Sequence, residues 1–569
     1  MLHLVGRPRK ADVGGGGRRR VMLAAALAAA AVVVAACSSS GSGDGSGTST
    51  SAGPNTSAGS NPSTGSAGSA SAPAPTRELT WALAGSPRTL FAPTNYSSDG
   101  AMLMTLTQDQ LLTYDPAGKL RPAIATDWKA VSPTEYTYTI RKGVKFSDGN
   151  PLTVDDVVYS LNLQLDKAVA SQEAGLFGAV KSITGSGDTV TVTLSKPQTI
   201  WQYLPASIGG FIWEKASVEK SLSTYGTPQT LPIGSGPYKV AEFVPDSHVT
   251  YVPNPYYWGP TPKFAKLTFQ IIPDAQTRLL AMQSGQIDGT FSVDSKSLAQ
   301  WKSSATVTTF PSYVWQGLTM DMTQAPFSDI HVRRALYYAT DRASIVSGLM
   351  NGLGQVSTTV NDPQIFYPVL GKDATTQAYD KLDHFDYDIA KAKSELAQSS
   401  VPSGFKTTLN VPSDSAGLIA IAQALKASWA QIGVTLNLNL MPGGPRFQVI
   451  LDHKPNLGIQ IIGNVPDVPD PVQMPYQYFS SAQAVQNGNN SSNLKDPAID
   501  ALLDQAQSST DPKKAATLIM QAQQAASEQV PVIPIAWGQQ MVALKKGWTE
   551  SGLGAFYSTS AWIDQIIPG

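Results

Sequence analysis

The stretch Tyr138-Thr-Ile-Arg-Lys-Gly-Val-Lys-Phe-Ser-Asp-Gly149, which continues to Ser160, predicts a strand, a turn and a helix in succession. Tyr136, Tyr138 and Ile140 recur at every second position, a period that is typical of a half-buried strand. The next residues, Ser-Asp-Gly-Asn-Pro, combine glycine, proline and short polar side chains, and these residue types interrupt a strand.

A helix is predicted directly after this turn. Thr153 begins the sequence Thr-Val-Asp-Asp156, in which a hydroxyl at the N-cap is followed by acidic residues in the first turn. The helix then carries an apolar stripe formed by Val157, Val158, Leu161 and Leu165. A strand, a turn and a helix in this order indicate an α/β protein.

The C-terminal half repeats this alternation. An amphipathic helix is predicted from the spacing of its apolar residues, which are Leu418, Ile421, Ala422, Leu425, Trp429 and Ile432. Gly433 ends the helix, and the sequence from Val434 to Leu440 then alternates as a strand does. With 569 residues, the chain is long enough for more than one core, so we expect a mixed α/β protein with at least two lobes.

Cys37 is the only cysteine, and its surroundings predict an exported protein. Basic residues precede the apolar run Val21–Ala36, which is shorter than the ~20 residues of a membrane span. The ending Val34-Ala-Ala-Cys37 resembles the lipobox of bacterial lipoproteins, in which the cysteine thiol carries lipid. We therefore expect a signal peptide at 1–36, lipid on Cys37, and a protein held on the extracytoplasmic face of the cell membrane.

Composition limits the partners of the remaining chain. Residues 37–76 are nearly all Ser, Gly, Ala, Thr and Pro, a composition that predicts a disordered linker. The sequence after Cys37 has a small excess of acidic residues and no basic cluster, so nucleic acid is not expected as a partner. Because no second cysteine is present, the fold cannot depend on disulfides.

Seven motifs in register resemble the extracytoplasmic solute-binding proteins of family 5, the oligopeptide, dipeptide and nickel class that serves ABC importers. The motifs are 120–128 (LRPAIATDW), 138–160, 233–238 (IGSGPY), 254–258 (NPYYW), 281–288 (AMQSGQID), 326–335 (PFSDIHVRRA) and 340–342 (TDR). Most of them are expected to be structural, and Arg333 and Arg334 are expected to lie at the surface or in an ion pair between helices.

The resemblance implies a two-lobed α/β periplasmic-binding-protein fold with an extra small domain, a hinge between the lobes and a ligand cleft at their interface. Lobe I is expected at 77–110, 218–310 and 530–569, the small domain at 111–217, and the second large lobe, lobe III, at 311–529. The implied function is peptide capture for an ABC transporter permease by a monomeric, lipid-anchored protein without cofactor or metal.

The resemblance also points to ligand-binding residues. In the family's peptide binders, an acid three residues before an Asp/Glu-Pro pair meets the ligand's amino terminus, and Asp467 before Asp470-Pro471 matches that spacing. Asp467 could instead cap a turn in its proline-rich loop. Tyr313 and Trp315 are expected to line the site or to pack in the core, and Tyr96 lies in the family's early cleft-facing loop.

Two other functions are set against peptide binding. The same fold could bind an oligosaccharide, a metal chelate or another small molecule. A secreted hydrolase is not expected, because the sequence has no Gly-x-Ser-x-Gly elbow and no His-Glu-x-x-His motif. The histidines after the apolar run are only His248, His331, His384 and His453. We therefore expect no catalytic residues.

Overall fold

The computed structural model describes residues 75–95, 97–413, 415–486 and 488–569. The predicted signal peptide, Cys37, nearly all of the predicted linker and Tyr96 lie outside the described residues. Within the described ranges, none of the helices combines the length and the apolar character that crossing a bilayer requires.

The strands of the described chain are β1 (Glu78–Leu83), β2 (Leu112–Tyr114), β3 (Leu120–Pro122), β4 (Ala125–Ser132), β5 (Glu135–Ile140), β6 (Val180–Ser186), β7 (Thr189–Leu194), β8 (Tyr238–Val244), β9 (His248–Pro253), β10 (Lys266–Ile271), β11 (Gly289–Thr290), β12 (Ala305–Met320), β13 (Gly354–Val356), β14 (Lys406–Pro412), β15 (Thr435–Met441), β16 (Ile459–Asn464), β17 (Val532–Lys545), β18 (Thr549–Glu550) and β19 (Ile566–Ile567).

The α-helices are α1 (Ser98–Met104), α2 (Val154–Asn162), α3 (Lys215–Ser221), α4 (Ala275–Gln283), α5 (Leu298–Ser304), α6 (Ile330–Tyr338), α7 (Arg342–Ser344), α8 (Tyr367–Leu370), α9 (Lys372–Tyr379), α10 (Ile389–Ala397), α11 (Ala416–Ala430), α12 (Gly443–Asp452), α13 (Gln473–Phe479), α14 (Pro497–Gln507) and α15 (Pro512–Gln529).

One mixed sheet extends through both lobes, with the strand order β15-β14-β16-β12-β17-β11-β1-β10-β9-β8 and with β13 added beside β17. The half with β1 and β8–β11 packs on a core that contains Trp81 and Trp562, and we call it the first lobe. The half with β14–β16 packs on a core that contains Trp429, and we call it the second lobe. The predicted two-lobed α/β architecture is therefore present.

The long antiparallel strands β12 and β17 connect the two lobes, and we call them the hinge strands. Their pairing runs from Ala305↔Lys545 to Pro311↔Gln539 and resumes only at Trp315↔Trp537. Tyr313 lies in the interruption with a φ of 52°, a backbone conformation that is uncommon for a non-glycine residue. The ladder is therefore irregular at the point where the strands pass from one lobe to the other.

A separate antiparallel sheet, β4-β5-β7-β6, forms a small domain that contains the stretch 138–160. Tyr136, Tyr138 and Ile140 are buried on one face of β5, as their alternation predicts. Thr153 and Asp156 form the expected capping box at the start of α2. The Asp156 N–H donates to the Thr153 hydroxyl at 3.3 Å, and the Thr153 N–H donates to the Asp156 carboxylate at 2.8 Å. The local prediction of strand, turn and helix is confirmed.

The prediction that Arg333 lies at the surface or in an ion pair between helices is wrong. Its side chain is buried in α6, and its guanidinium donates hydrogen bonds to the main-chain carbonyls of Phe327 and Gln529. A buried cation needs acceptors, and here main-chain carbonyls rather than a carboxylate supply them. Arg333 therefore ties α6 to the end of α15.

Candidate functional site

A cavity of about 520 Å³ lies between the lobes beside the hinge strands, and we call it the hinge cavity. Its lining residues are Ser97, Asp99, Glu173, Ser207, Ile208, Ser312, Val314, Asn464, Val465, Pro466, Asp467, Gln540, Ala555, Phe556, Tyr557, Ser558 and Thr559. The lining thus comes from the hinge strands, from a loop of the second lobe and from segments on the opposite side of the cleft. A cavity of this size is typical of a small-molecule site.

A second cavity, of about 550 Å³, lies between the second lobe and the small domain, and we call it the outer cavity. Asn464 and Asp467 line both cavities. The outer cavity also contains Arg446, whose guanidinium is buried and donates hydrogen bonds to the main-chain carbonyls of Asn410 and Ile461. Asp467 therefore lies where the two cavities meet.

Asp467 is held in place by one side chain. It follows the end of β16, and Gln473 at the start of α13 makes two contacts with it. The Gln473 amide oxygen accepts a hydrogen bond from the Asp467 N–H at 2.9 Å, and the amide nitrogen donates to the Asp467 carboxylate. Burial raises the pKa of Asp467 to about 6, although Gln473 opposes the shift. The carboxyl is accessible from the cavity, yet too desolvated to ionise as readily as in water.

The loop that carries Asp467 crosses to the small domain. Val468 is fully buried in the core of the four-stranded sheet, together with Tyr136 and Tyr138. Two residues later, Asp470 is buried and accepts a hydrogen bond from the Val472 N–H at 2.9 Å. Burial raises the pKa of Asp470 to about 6, with the Thr199 hydroxyl acting in the opposite direction. This loop thus links the second lobe to the small domain, so that Asp467 lies inside the cleft.

A second acid, Glu173, was not identified by the sequence reasoning. Only 1% of Glu173 is exposed, and within the described chain neither of its carboxyl oxygens has a hydrogen-bond partner. Burial alone raises the pKa of Glu173 to about 8. Glu173 lies in an irregular segment between α2 and β6, where no periodic pattern or motif distinguishes a buried acid from a solvated one.

Asp99 is the third acid of the hinge cavity. It lies in the first turn of α1 and is half-buried; burial raises its pKa, and the charge of Arg278 opposes this rise. Lysine, arginine and histidine are all missing from the described residues that line this cavity. The hinge cavity is therefore lined by three carboxyl groups and by no cationic side chain, an arrangement that favours cationic solutes.

The two aromatic residues predicted on β12 have different environments. Tyr313 is half-buried, and its ring lies 5.7 Å from the ring of Phe556, which lines the hinge cavity. Trp315 is fully buried and packs against Tyr478, with the ring centroids 5.1 Å apart. Tyr313 therefore lies next to the cavity, in contact with the lining residue Phe556. Trp315 lies in the core behind it. A direct ligand contact by either stays a prediction.

Metal chemistry finds no support in the described part of the chain. Among the described residues, no group of three or more His, Cys, Asp or Glu side chains is placed to hold an ion. The three acids of the hinge cavity lie on separate segments, in the first turn of α1, between α2 and β6 and after β16, and burial raises the pKa of each. They do not form such a group.

Because folding raises the pKa of Glu173 from 4.5 to about 8, we predict a specific pH dependence of stability. An acid with a raised pKa stabilises the folded state fully below its unfolded value, and this stability is lost as the pH rises through the folded value. Between pH 6.5 and 8.5, the unfolding free energy of the ligand-free protein should fall by about 2 kcal/mol more in the parent than in Glu173→Gln.

Guanidinium unfolding of ligand-free protein at several pH values measures this difference. The window lies above the pKa values of Asp467 and Asp470, so their titration contributes little there. Glu219→Gln, at an exposed acid of α3, is the control and should follow the parent. Parallel curves for the parent and Glu173→Gln would contradict the placement of Glu173 in a desolvated site.

Comparison with known proteins identifies relatives of this chain and structures with the same fold. Heme-binding protein A of Haemophilus influenzae is 28% identical over 484 residues, which cover 78% of this chain and 84% of that protein. A probable di/tripeptide-binding protein of Pseudomonas aeruginosa is 28% identical over 470 residues, with 78% and 85% covered. The structure of the ABC transporter-associated periplasmic binding protein DppA from Helicobacter pylori, in complex with the peptide STSA, superimposes with a TM-score of 0.72 at 22% identity. It covers 86% of this chain and 98% of that one.

The family itself follows from a match to a family model that covers more than half of the chain. The sequence model of bacterial extracellular solute-binding proteins, family 5 (middle), matches residues 119–486. This range includes the four-stranded sheet of the small domain, all of β12 and the loop that carries Asp467. The chain belongs to family 5 of the bacterial extracellular solute-binding proteins.

Proposed function

We propose that this protein captures peptides outside the cytoplasmic membrane and delivers them to the permease of an ABC importer. The observation that carries the proposal is Asp467, a carboxyl in the cleft between the lobes without a cationic partner among the residues that line the hinge cavity. Membership of family 5 supports the general role of a substrate-binding protein, whatever the solute.

The ammonium group of a peptide would complete this site. Taking an ammonium ion out of water costs many kcal/mol unless an opposite charge meets it. Asp467 supplies that charge, and Gln473 holds the carboxylate in a fixed position. A bound ammonium would also return the pKa of Asp467 towards its ordinary value, since an adjacent positive charge favours the ionised form.

Closure of the lobes over the bound peptide is the second part of the proposal. The proposed domains, lobe I at 77–110, 218–310 and 530–569, the small domain at 111–217 and lobe III at 311–529, would close about the hinge strands as a monomer. The irregular pairing near Tyr313 is a suitable place for the backbone to bend. Tyr313, Trp315 and Tyr96 remain proposed contacts for ligand side chains.

A non-peptide solute is the second candidate, and the heme-binding relative favours it. Haem, however, carries two carboxylates, which the acidic hinge cavity would repel. Catalysis is not proposed, since the relatives described above are named as binding proteins.

We further propose that lipid on Cys37 anchors the protein to the membrane and that residues 37–76 form the connecting stalk. The support is the sequence order of basic residues, apolar run and Ala-Ala-Cys. Two anchoring signals are usually needed for stable attachment, and the diacylglycerol of a lipobox cysteine supplies two chains at once.

For Asp467→Ala, we predict that affinity for the tripeptide Ala-Lys-Ala falls more than a hundredfold, because the buried ammonium would lose its partner. Isothermal titration calorimetry measures this loss. N-acetylation of the peptide removes the ammonium and should weaken binding to the parent by a similar factor. The two changes should not add, because both remove the same interaction.

Asp127→Ala, at an exposed acid of β4, is the matched control and should bind like the parent. Parent-like affinity of Asp467→Ala for the free peptide would refute the proposed role of Asp467, and so would tight binding of the acetylated peptide by the parent.

For Cys37→Ser, we predict loss of the membrane-bound form. In the host, the parent should incorporate an alkyne-labelled fatty acid and sediment with membranes, whereas the variant should do neither. A variant that still incorporates label would place the lipid elsewhere, and an unlabelled parent would remove the anchor from the proposal.

A further inference from the structure

We propose that Glu173 makes the hinge cavity selective for a solute with a second positive charge, such as a peptide with a basic side chain. This inference rests on the proposed function and names the class of peptide that the site prefers. Asp467 would meet the terminal ammonium, and Glu173 would meet the cationic group farther along the ligand.

The first argument is the unsatisfied state of Glu173. Buried polar groups in folded proteins nearly always have hydrogen-bond partners, and a buried carboxyl without one is costly. Within the described chain, both oxygens of Glu173 lack a partner, and only 1% of the residue is exposed. The raised pKa of Glu173 has burial as its only cause. Because Glu173 lines the hinge cavity, a bound solute can supply the missing partner.

The second argument is the charge of the cavity. Among the described residues that line it, Asp99, Glu173 and Asp467 are the only ones with an ionisable acidic or basic side chain that can be charged near neutral pH, and all three are acids. Glu173 and Asp467 reach the cavity from separate segments, and the described acids form no group that could hold a single metal ion. A solute with two separated positive groups fits this arrangement, and a volume of about 520 Å³ leaves room for it.

The alternative is that Glu173 stays protonated and donates a hydrogen bond to a neutral solute. Its pKa of about 8 in the ligand-free protein permits this form at neutral pH. The two alternatives differ in the preference that they predict for a cationic side chain. A protonated Glu173 would show no preference for a cationic side chain, whereas an ionised one would bind it selectively.

The experiment compares Ala-Lys-Ala with Ala-norleucine-Ala, whose side chain keeps the aliphatic length but lacks the ammonium. By isothermal titration calorimetry at pH 7.5, the parent should bind the lysine peptide at least about thirtyfold more tightly. Glu173→Gln should reduce this preference to less than about threefold, and its circular dichroism spectrum and unfolding transition should show that the variant is folded. Glu219→Gln should keep the full preference.

Equal affinity of the parent for the two peptides would overturn the inference while leaving peptide capture intact, and so would a preference that survives Glu173→Gln. A second pair of ligands, 1,5-diaminopentane and 1-aminopentane, separates the two proposals. If the parent binds no peptide but prefers the diamine, and Glu173→Gln abolishes that preference, then peptide capture fails and the second charge site stands. If neither pair binds, both proposals fail.

Discussion

Burial of carboxyl groups without a protein cation is the constraint on which the rest of the site depends. In the hinge cavity, Asp467 and Glu173 are surrounded by enough protein for desolvation to raise the pKa of each. A folded chain normally offsets the burial of a carboxylate with an Arg or Lys side chain. The buried cation Arg333 is likewise compensated within the protein, by main-chain carbonyl groups. The described lining of the hinge cavity offers no such cation, although Arg446 lines the outer cavity that Asp467 also lines, and in our proposal a cationic solute supplies the compensating charge. Ligand affinity and ligand-free instability would then have the same physical origin.

Two separate segments of the chain bring these acids to the cavity. Asp467 arrives on a loop after β16, and the burial of Val468 in the small domain's core fixes that loop at its far end. Glu173 approaches from the segment between α2 and β6, while β12 and β17 form the back of the cavity.

Local structure was predictable from the sequence, whereas the acids of the site were only partly so. The alternation of Tyr136, Tyr138 and Ile140 and the capping box at Thr153 depend on neighbouring residues, and both are present as predicted. The helix α11 and the strand β15 likewise follow from periodicity. Asp467 came from family resemblance. Glu173 could not be found, because its burial results from contacts between distant segments. Trp315 shows the same limit, since alternation on a strand cannot tell a cavity wall from the core behind it.

The most direct test of the central claim is native mass spectrometry of the protein purified from its host, with release and fragmentation of any retained solute. We predict that the retained solutes are peptides with a free amino terminus and at least one basic side chain. A retained population that lacks basic nitrogen, such as neutral oligosaccharides or anionic compounds, would contradict the claim that the solute neutralises the buried carboxyl groups.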